Sequence, residues 1–394
     1  MTATWTLLTL LVIAAASFPL GRVRALACAG GDSCALHSLP RHYGWASVLL
    51  TLGPALVLFV LLEMTAPATP AGSLAVVACA LVALAWALRR MHPDFRARQT
   101  VERGVLALLM LAACVAIATT AGIVLSMLFE TQNFFAQYGW REFFLSATWA
   151  PRFQGDSDLG ILPLLWGTLY ISLIALVLAV PVGLFAAIYM AEYAGQRFRA
   201  IVKPGIEVLA GIPTIVYGLF ALITVGPLLR DYFAQPLGLG SSGSSVMTAG
   251  LVMGIMLIPF VSSLSDDIIA QVPQSLRDGS LGLGATRSET IRQVVVPAAL
   301  PGIVGAVLLA ASRAIGETMI VVLGAGAAAK LNLNPFEAMT TITVKIVSQL
   351  TGDGDFAAPE TLVAFALGLT LFAITLCLNV LALAIVRKYR EQYE

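Results

Sequence analysis

Charge is scarce in this sequence. Lysine, arginine, aspartate and glutamate make up 11% of the 394 residues, where a soluble domain carries about a quarter. So small a charged share excludes a water-covered globule. The phosphate-cradling loop G-x-x-x-x-G-K-[ST] is also missing, since no glycine precedes any of the four lysines, Lys203, Lys330, Lys345 and Lys388. Nucleotide binding is therefore not expected on this chain. Three of the five cysteines, Cys79, Cys114 and Cys377, fall inside apolar runs, so no disulfide framework is implied. Cys28, Cys34, His37 and His42 share one loop, but their spacing fits no common zinc pattern and no metal site is expected. The formal net charge of +1 says nothing about nucleic acid by itself, and no nucleic-acid partner is expected.

Apolar residues take the space that charge leaves. They form 59% of the chain, and the mean hydropathy is +0.89. An apolar stretch of about 20 residues crosses a bilayer as a helix, and in lipid only helices and closed barrels satisfy every backbone group. The runs here are too long and continuous for barrel strands. The expected fold class is an all-α polytopic membrane protein. Nine spans are expected, at roughly 3–20, 44–63, 73–88, 105–129, 163–191, 205–230, 246–268, 298–326 and 360–386. No basic residue precedes the first run, and A-A-A-S at 14–17 lies within it, which argues for a retained span over a cleaved leader.

Lysines and arginines concentrate in alternate loops. The loops 21–43, 89–104, 192–204 and 269–297 and the C-terminal tail hold seventeen of them, against five (Arg141, Arg152, Arg230, Lys330, Lys345) in the opposite set. Positive charge stays inside, so the N-terminus is expected outside and the C-terminus in the cytosol. Residues 1–88 form a three-span extension, 89–104 a basic cytosolic linker that also meets anionic lipid headgroups, and 105–394 a six-span core.

Two outer loops are long enough to hold structure. The first, 130–162, carries Phe134, Phe135, Tyr138, Trp140, Phe143, Phe144 and Trp149. It reads as an interfacial belt or as a surface-lying helix on which a partner lands. In the second, 327–359, Asn334, Pro335 and Glu337 give a helix-start pattern. Phe336, Met339, Thr343, Ile346, Val347 and Leu350 would then share one face, on a gate helix or a plain amphipathic connector.

The cytosolic segment 272–297 is no ordinary linker. Its pattern predicts a short helix after Pro273, a break at Gly282 and Gly284, and a second helix leading to Pro297. Such an elbow can carry a push from a cytosolic motor into the next span. Span eight holds Arg313 near its expected midpoint and Glu317 four residues on, on the same helical face. Each charge costs about 2.5–3.5 kcal/mol at the bilayer centre, which makes both functional candidates. The arginine fork suits the oxygens of an oxyanion, with Glu317 orienting it or easing release; the competing reading is a helix–helix clamp. Pro181, Pro213, Pro227 and Pro259 are candidate flexing points.

Asp278-Gly279-Ser280, three residues, Gly284, nine residues and Val294-Val295-Val296-Pro297 match the spacing of the E-A-A loop of ABC importer permeases, with the first triplet departing in each residue. R-A-I-G-E-T-M at 313–319 resembles the PstC-type permeases of phosphate-specific ABC importers, in the binding-protein-dependent transport permease family. G-T-L-x-x-S at 167–172 and A-G-I-P-T-I-V-Y-G-L at 210–219 agree, so the resemblance covers about 160–390. It implies a type I ABC importer fold, with Arg313, Glu317 and Thr318 on the substrate path and Asp278, Gly279, Ser280, Gly284 and Pro297 in the ATPase-coupling loop. It also implies a heterodimer with a PstA-like permease, two ABC ATPase copies holding ATP and Mg, a periplasmic phosphate-binding protein, and a place in the bacterial inner membrane. An importer for molybdate or sulfate, a secondary transporter or channel without an ATPase, and a phosphate-status sensor remain as alternatives.

Overall fold

The computed structural model describes residues 3–65, 70–152, 157–351 and 358–390. Among them, nine helical segments are long and apolar enough to cross a membrane. The chain divides into two compact units, Met1–Gly122 and Ile123–Glu394.

The first unit holds α1 (Ala3–Cys28), α2 (Pro40–Thr65), α3 (Pro70–Arg90) and the beginning of α4 (Ala97–Gln137). Small residues let α1 and α2 approach closely: a side chain on Gly21 would strike Ser47, and one on Gly44 would strike Phe18. Of the basic stretch 89–104, only 91–96 are non-helical. Tyr43 fastens them by donating its hydroxyl to the carbonyls of Pro93 and Phe95, at 2.9 and 3.0 Å. The 41 residues of α4 amount to about 60 Å of helix, twice the hydrocarbon thickness.

In the second unit, α4 ends against α5 (Trp140–Leu145) and a two-stranded ribbon, β1 (Trp149–Ala150) paired antiparallel with β2 (Asp158–Leu159). Phe134 and Phe143 are fully buried here, with Leu159, Leu164, Leu362 and Leu367 around them. The interfacial belt is thus corrected for these two rings, which form the core of a small subdomain; Trp140 and Phe144 stay exposed.

Then follow α6 (Leu162–Ile188), α7 (Gln196–Ala210), α8 (Thr214–Phe220), α9 (Gly226–Leu229) and α10 (Val246–Ala270). Short π turns extend α6 over Tyr189–Tyr193 and join α8 to α9 over Ala221–Val225. The sixth span therefore runs Thr214–Ala234 rather than 205–230, because Gly211 and Pro213 end α7 and restart the helix as α8. The central contact is α6 on α10. Gly183, Gly250 and Gly254 each leave room for a side chain of the facing helix, Val261, Ile174 and Leu178 respectively.

Beyond α10 come α11 (Gln274–Gly282), α12 (Arg287–Thr290), α13 (Val296–Ile315), α14 (Met319–Gly324), α15 (Ile342–Leu350) and α16 (Pro359–Arg390). A π turn, Ile291–Val295, joins α12 to α13, so the eighth span is Arg287–Ile315. The expected continuous helix 298–326 breaks at Gly316. The expected helix from Asn334 is also absent: 338–341 are non-helical and α15 starts at Ile342. Asn334 instead accepts the Phe336 amide at 3.0 Å. The carbonyls of Pro335 and Glu337 are taken by the Met247 and Val246 amides, at 2.8 and 3.0 Å. These are first-turn donors of α10, which have no partner inside their own helix.

Segment 325–341 is non-helical; Ala325, Met339, Thr340 and Thr341 are buried, while Leu331 and Leu333 stay exposed. The sequence G-T-L-x-x-S serves it. Thr168 accepts the Ile342 amide at 3.1 Å, and Gly167 faces the Thr340 carbonyl so closely that a methyl group would overlap it. Gly167→Ala should cost about 1–3 kcal/mol by overpacking. Gly205→Ala, on α7 with open space around it, should be neutral or stabilising. Thermal unfolding of the two purified variants in detergent checks this; equal melting temperatures would contradict it.

Candidate functional site

The break in span eight builds the site. Gly316 ends α13, and its amide bonds back to Ser312 at 3.3 Å. Glu317 lies past the helix end, where its Oε1 accepts the amides of Thr318 and Met319, both at 3.1 Å. The expected Arg313–Glu317 face is therefore corrected: the carboxylate is turned to the start of α14, and among the described residues no ion pair joins it to Arg313. Neighbouring elements fix the turn. Thr343 of α15 donates to the Glu317 carbonyl at 2.9 Å, and Gly218 of α8 leaves room for the Met319 carbonyl, 2.8 Å from where its Cβ would sit.

Arg313 occupies the last turn of α13, where the helix dipole favours a cation. It is exposed in the single chain. Its guanidinium lies 5.6 Å from the ring centroid of Phe260, on α10 beside Pro259, within cation–π range. The ring holds the arginine without neutralising it. Such a fork can take two oxygens of one anion. Thr318, the third expected path residue, is half-buried at the start of α14. Lys345 on α15 is half-buried too, and desolvation lowers its ammonium from the usual lysine value.

In the elbow, α11 follows Pro273 and closes at Gly282, and Gly284 takes φ 88°. That conformation strains side-chain-bearing residues. Thr286 and Glu289 form a capping box at α12, and Ser280 meets Thr290 across the bend at 2.9 Å. Pro297 stands in the first turn of α13. Asp278 and Gly279 are exposed on α11, beside the apolar surface of Leu276, Leu281 and Leu283; Leu283 is 92% exposed.

Sequence reasoning missed the charge network behind this elbow. Arg277 pairs with Glu192 at 2.9 Å. Asp266, fully buried, accepts from Arg199 and Lys203, both at 2.9 Å, and Lys203 also reaches Asp267 at 2.8 Å. Asp267, then Asp266, raise the Lys203 ammonium above its usual range by hydrogen bonding. An Asp-Asp pair closing an apolar run was the available signal. The side chain of Cys34, considered with Cys28, His37 and His42 as a zinc set, lies outside the described residues.

A multispan core with an exposed elbow and an arginine at a helix break, without an ion-pair partner among the described residues, is the arrangement of a membrane permease. Residues 179–391 match the family model described as binding-protein-dependent transport system inner membrane component, and the chain belongs to that family. Residues 7–72 match a second model, described as phosphate ATP-binding cassette transporter. The chain is 33% identical to the probable ABC transporter permease protein YqgH of Bacillus subtilis, over 73% of this chain and 88% of that one. It is 33% identical to the phosphate transport system permease protein PstC of Mesorhizobium japonicum, over 69% and 85%. Against PstC 1 of Mycobacterium tuberculosis the identity is 38%, over 58% and 72%. A solved bacterial alginate ABC transporter shares the fold, with a TM-score of 0.50 and 17% identity over 74% of this chain and 96% of that one. The fold is the type I ABC importer permease, preceded by extra N-terminal helices.

The Glu317 geometry has a direct consequence. Glu317→Ala removes the acceptor of two amides and should destabilise by about 1 kcal/mol, the usual cost of a lost cap. Glu317→Gln keeps an acceptor oxygen and should melt near wild type. Melting temperatures of the purified variants decide; a Gln variant as unstable as the Ala variant would show that charge, not the cap, is what matters.

Proposed function

We propose that this chain is the phosphate-conducting permease subunit of an ATP-driven importer. The observation that carries the reading is Arg313: a cation at a helix break inside the permease core, oriented by Phe260 and without a carboxylate partner among the described residues. Phosphate is favoured over other oxyanions because PstC proteins of several bacteria are similar along most of their length, and because the extension matches a phosphate-transporter model.

In this reading a second permease completes the path across from Arg313. Two ATPase subunits, which hold ATP and Mg, dock on the elbow 272–297 around Asp278, Gly279, Ser280 and the exposed leucines. A binding protein delivers phosphate at the outer face. The N-terminus is periplasmic and the C-terminus cytosolic in a bacterial inner membrane, following the positive-inside distribution. ATP closure of the motor moves the elbow, the path opens outward, and the anion crosses as the motor resets. A single arginine without added carboxylate or metal binds the anion weakly enough to release it, as conduction requires.

The test is uptake of labelled phosphate by the complete complex in vesicles, with sulfate and molybdate as competitors. Uptake should require ATP and resist tenfold excess of either competitor. Arg313→Gln should lower it at least tenfold with assembly intact, and Arg313→Lys, which keeps charge but loses the fork, should recover little. Competition by sulfate or molybdate would reassign the substrate; normal uptake by Arg313→Gln would remove the site.

A further inference from the structure

Helix α7 packs without burying a single residue; Phe198, Ile201, Val208 and Leu209 are all exposed. Ions, not apolar contact, join it to α10. Arg199 gives Nη2 to both oxygens of Asp266, at 3.0 and 2.9 Å, and Lys203 adds its ammonium to Asp266 and Asp267. A buried ion pair is weak as a source of stability, because desolvation offsets its attraction. What it supplies is a fixed geometry that fails if either partner is lost.

That geometry links the elbow to Arg313. Just before α7, Glu192 in the π turn holds Arg277 of the elbow, and the same guanidinium reaches the Ile269 carbonyl at 2.8 Å, at the foot of α10. Six residues up α10 from Asp266, about 9 Å at 1.5 Å per residue, Phe260 lies against Arg313. Elbow, α7, α10 and the anion ligand thus form one chain of directional contacts.

We infer that Asp266 is a positioning residue: by locking α7 to α10 it makes elbow movement displace Phe260 and Arg313, so that hydrolysis is coupled to anion passage. This rests on the transport reading above. Without the lock, α7 slides on α10 and the motor turns over without moving the ligand.

The experiment uses the assembled wild-type complex, two disrupting variants and the conservative Lys203→Arg in vesicles, with inorganic phosphate as the probe. Lys203→Met leaves Arg199 on Asp266. The triple variant Arg199→Gln, Lys203→Gln, Asp266→Asn strands no buried charge, since Asp267 is exposed. Complex yield, ATP hydrolysis and phosphate moved per ATP are measured together. Both variants should assemble and hydrolyse ATP within twofold of wild type. Phosphate per ATP should fall at least twofold in Lys203→Met and at least fivefold in the triple variant, and Lys203→Arg should restore it. A wild-type ratio in Lys203→Met, or reduced yield with an unchanged ratio, would overturn the inference and leave the clamp a purely structural contact. A wild-type complex that moves no phosphate defeats the transport reading alone. The clamp is then judged by stimulation of hydrolysis by the binding protein, which the triple variant must lose.

Discussion

The first amides of a helix have no partner within it, and the segment from Gly316 to Thr341 is organised around that constraint at α10. A buried group of this kind left unsatisfied would cost roughly 1–3 kcal/mol. The chain meets the demand by mutual supply between two broken elements. The non-helical stretch and the end of α14 give the Pro335, Glu337 and Gly324 carbonyls to the Met247, Val246 and Ser245 amides at the head of α10. Ser245, the N-cap residue of α10, accepts the Thr248 amide at 3.2 Å. In return the stretch is anchored by α6, through Thr168 on Ile342 and Trp166 on the Asn332 carbonyl, at 3.1 and 2.8 Å. The break in span eight and the start of α10 are therefore one structural unit.

The charges divide by the same logic. Asp266 is enclosed and satisfied three times over by Arg199 and Lys203. Glu317 is satisfied by backbone amides. Among the described residues, Arg313 alone of these groups has an aromatic face in place of an ion partner, and its cost in the membrane, about 2.5–3.5 kcal/mol on insertion scales, is offset by the carbonyl end of α13. A cation kept available in this way has binding capacity left for a passing anion.

Much of this was legible in the residues. Hydropathy located nine spans, and the nine candidate helices of the structure correspond to them with shifted ends. The elbow, with its glycine break and second helix, followed from the spacing of Pro273, Gly282, Gly284 and Pro297. The breaks were harder. An apolar run through Gly316 carries no local signal to stop, since the turn is held by Thr343 and Gly218 from distant positions. The helix-start pattern at Asn334 misled because a free carbonyl there serves α10 better than a helix would. Periodicity also could not separate α7 from the sixth span, because its apolar face runs on towards Ile212. Asp266 was passed over because an Asp-Asp pair near a helix end reads as solvated until its partners on α7 are known.

The central claim is that Arg313 stays free of protein carboxylates so that an anion can occupy it. A density map of the complete complex, determined with phosphate present, tests this most directly. The account predicts Arg313 facing the path, Glu317 still on the amides of Thr318 and Met319, and oxyanion density within hydrogen-bonding distance of the guanidinium in a conducting state. A map in which Arg313 is paired with a carboxylate of the second permease in every state, with no anion beside it, would contradict the claim.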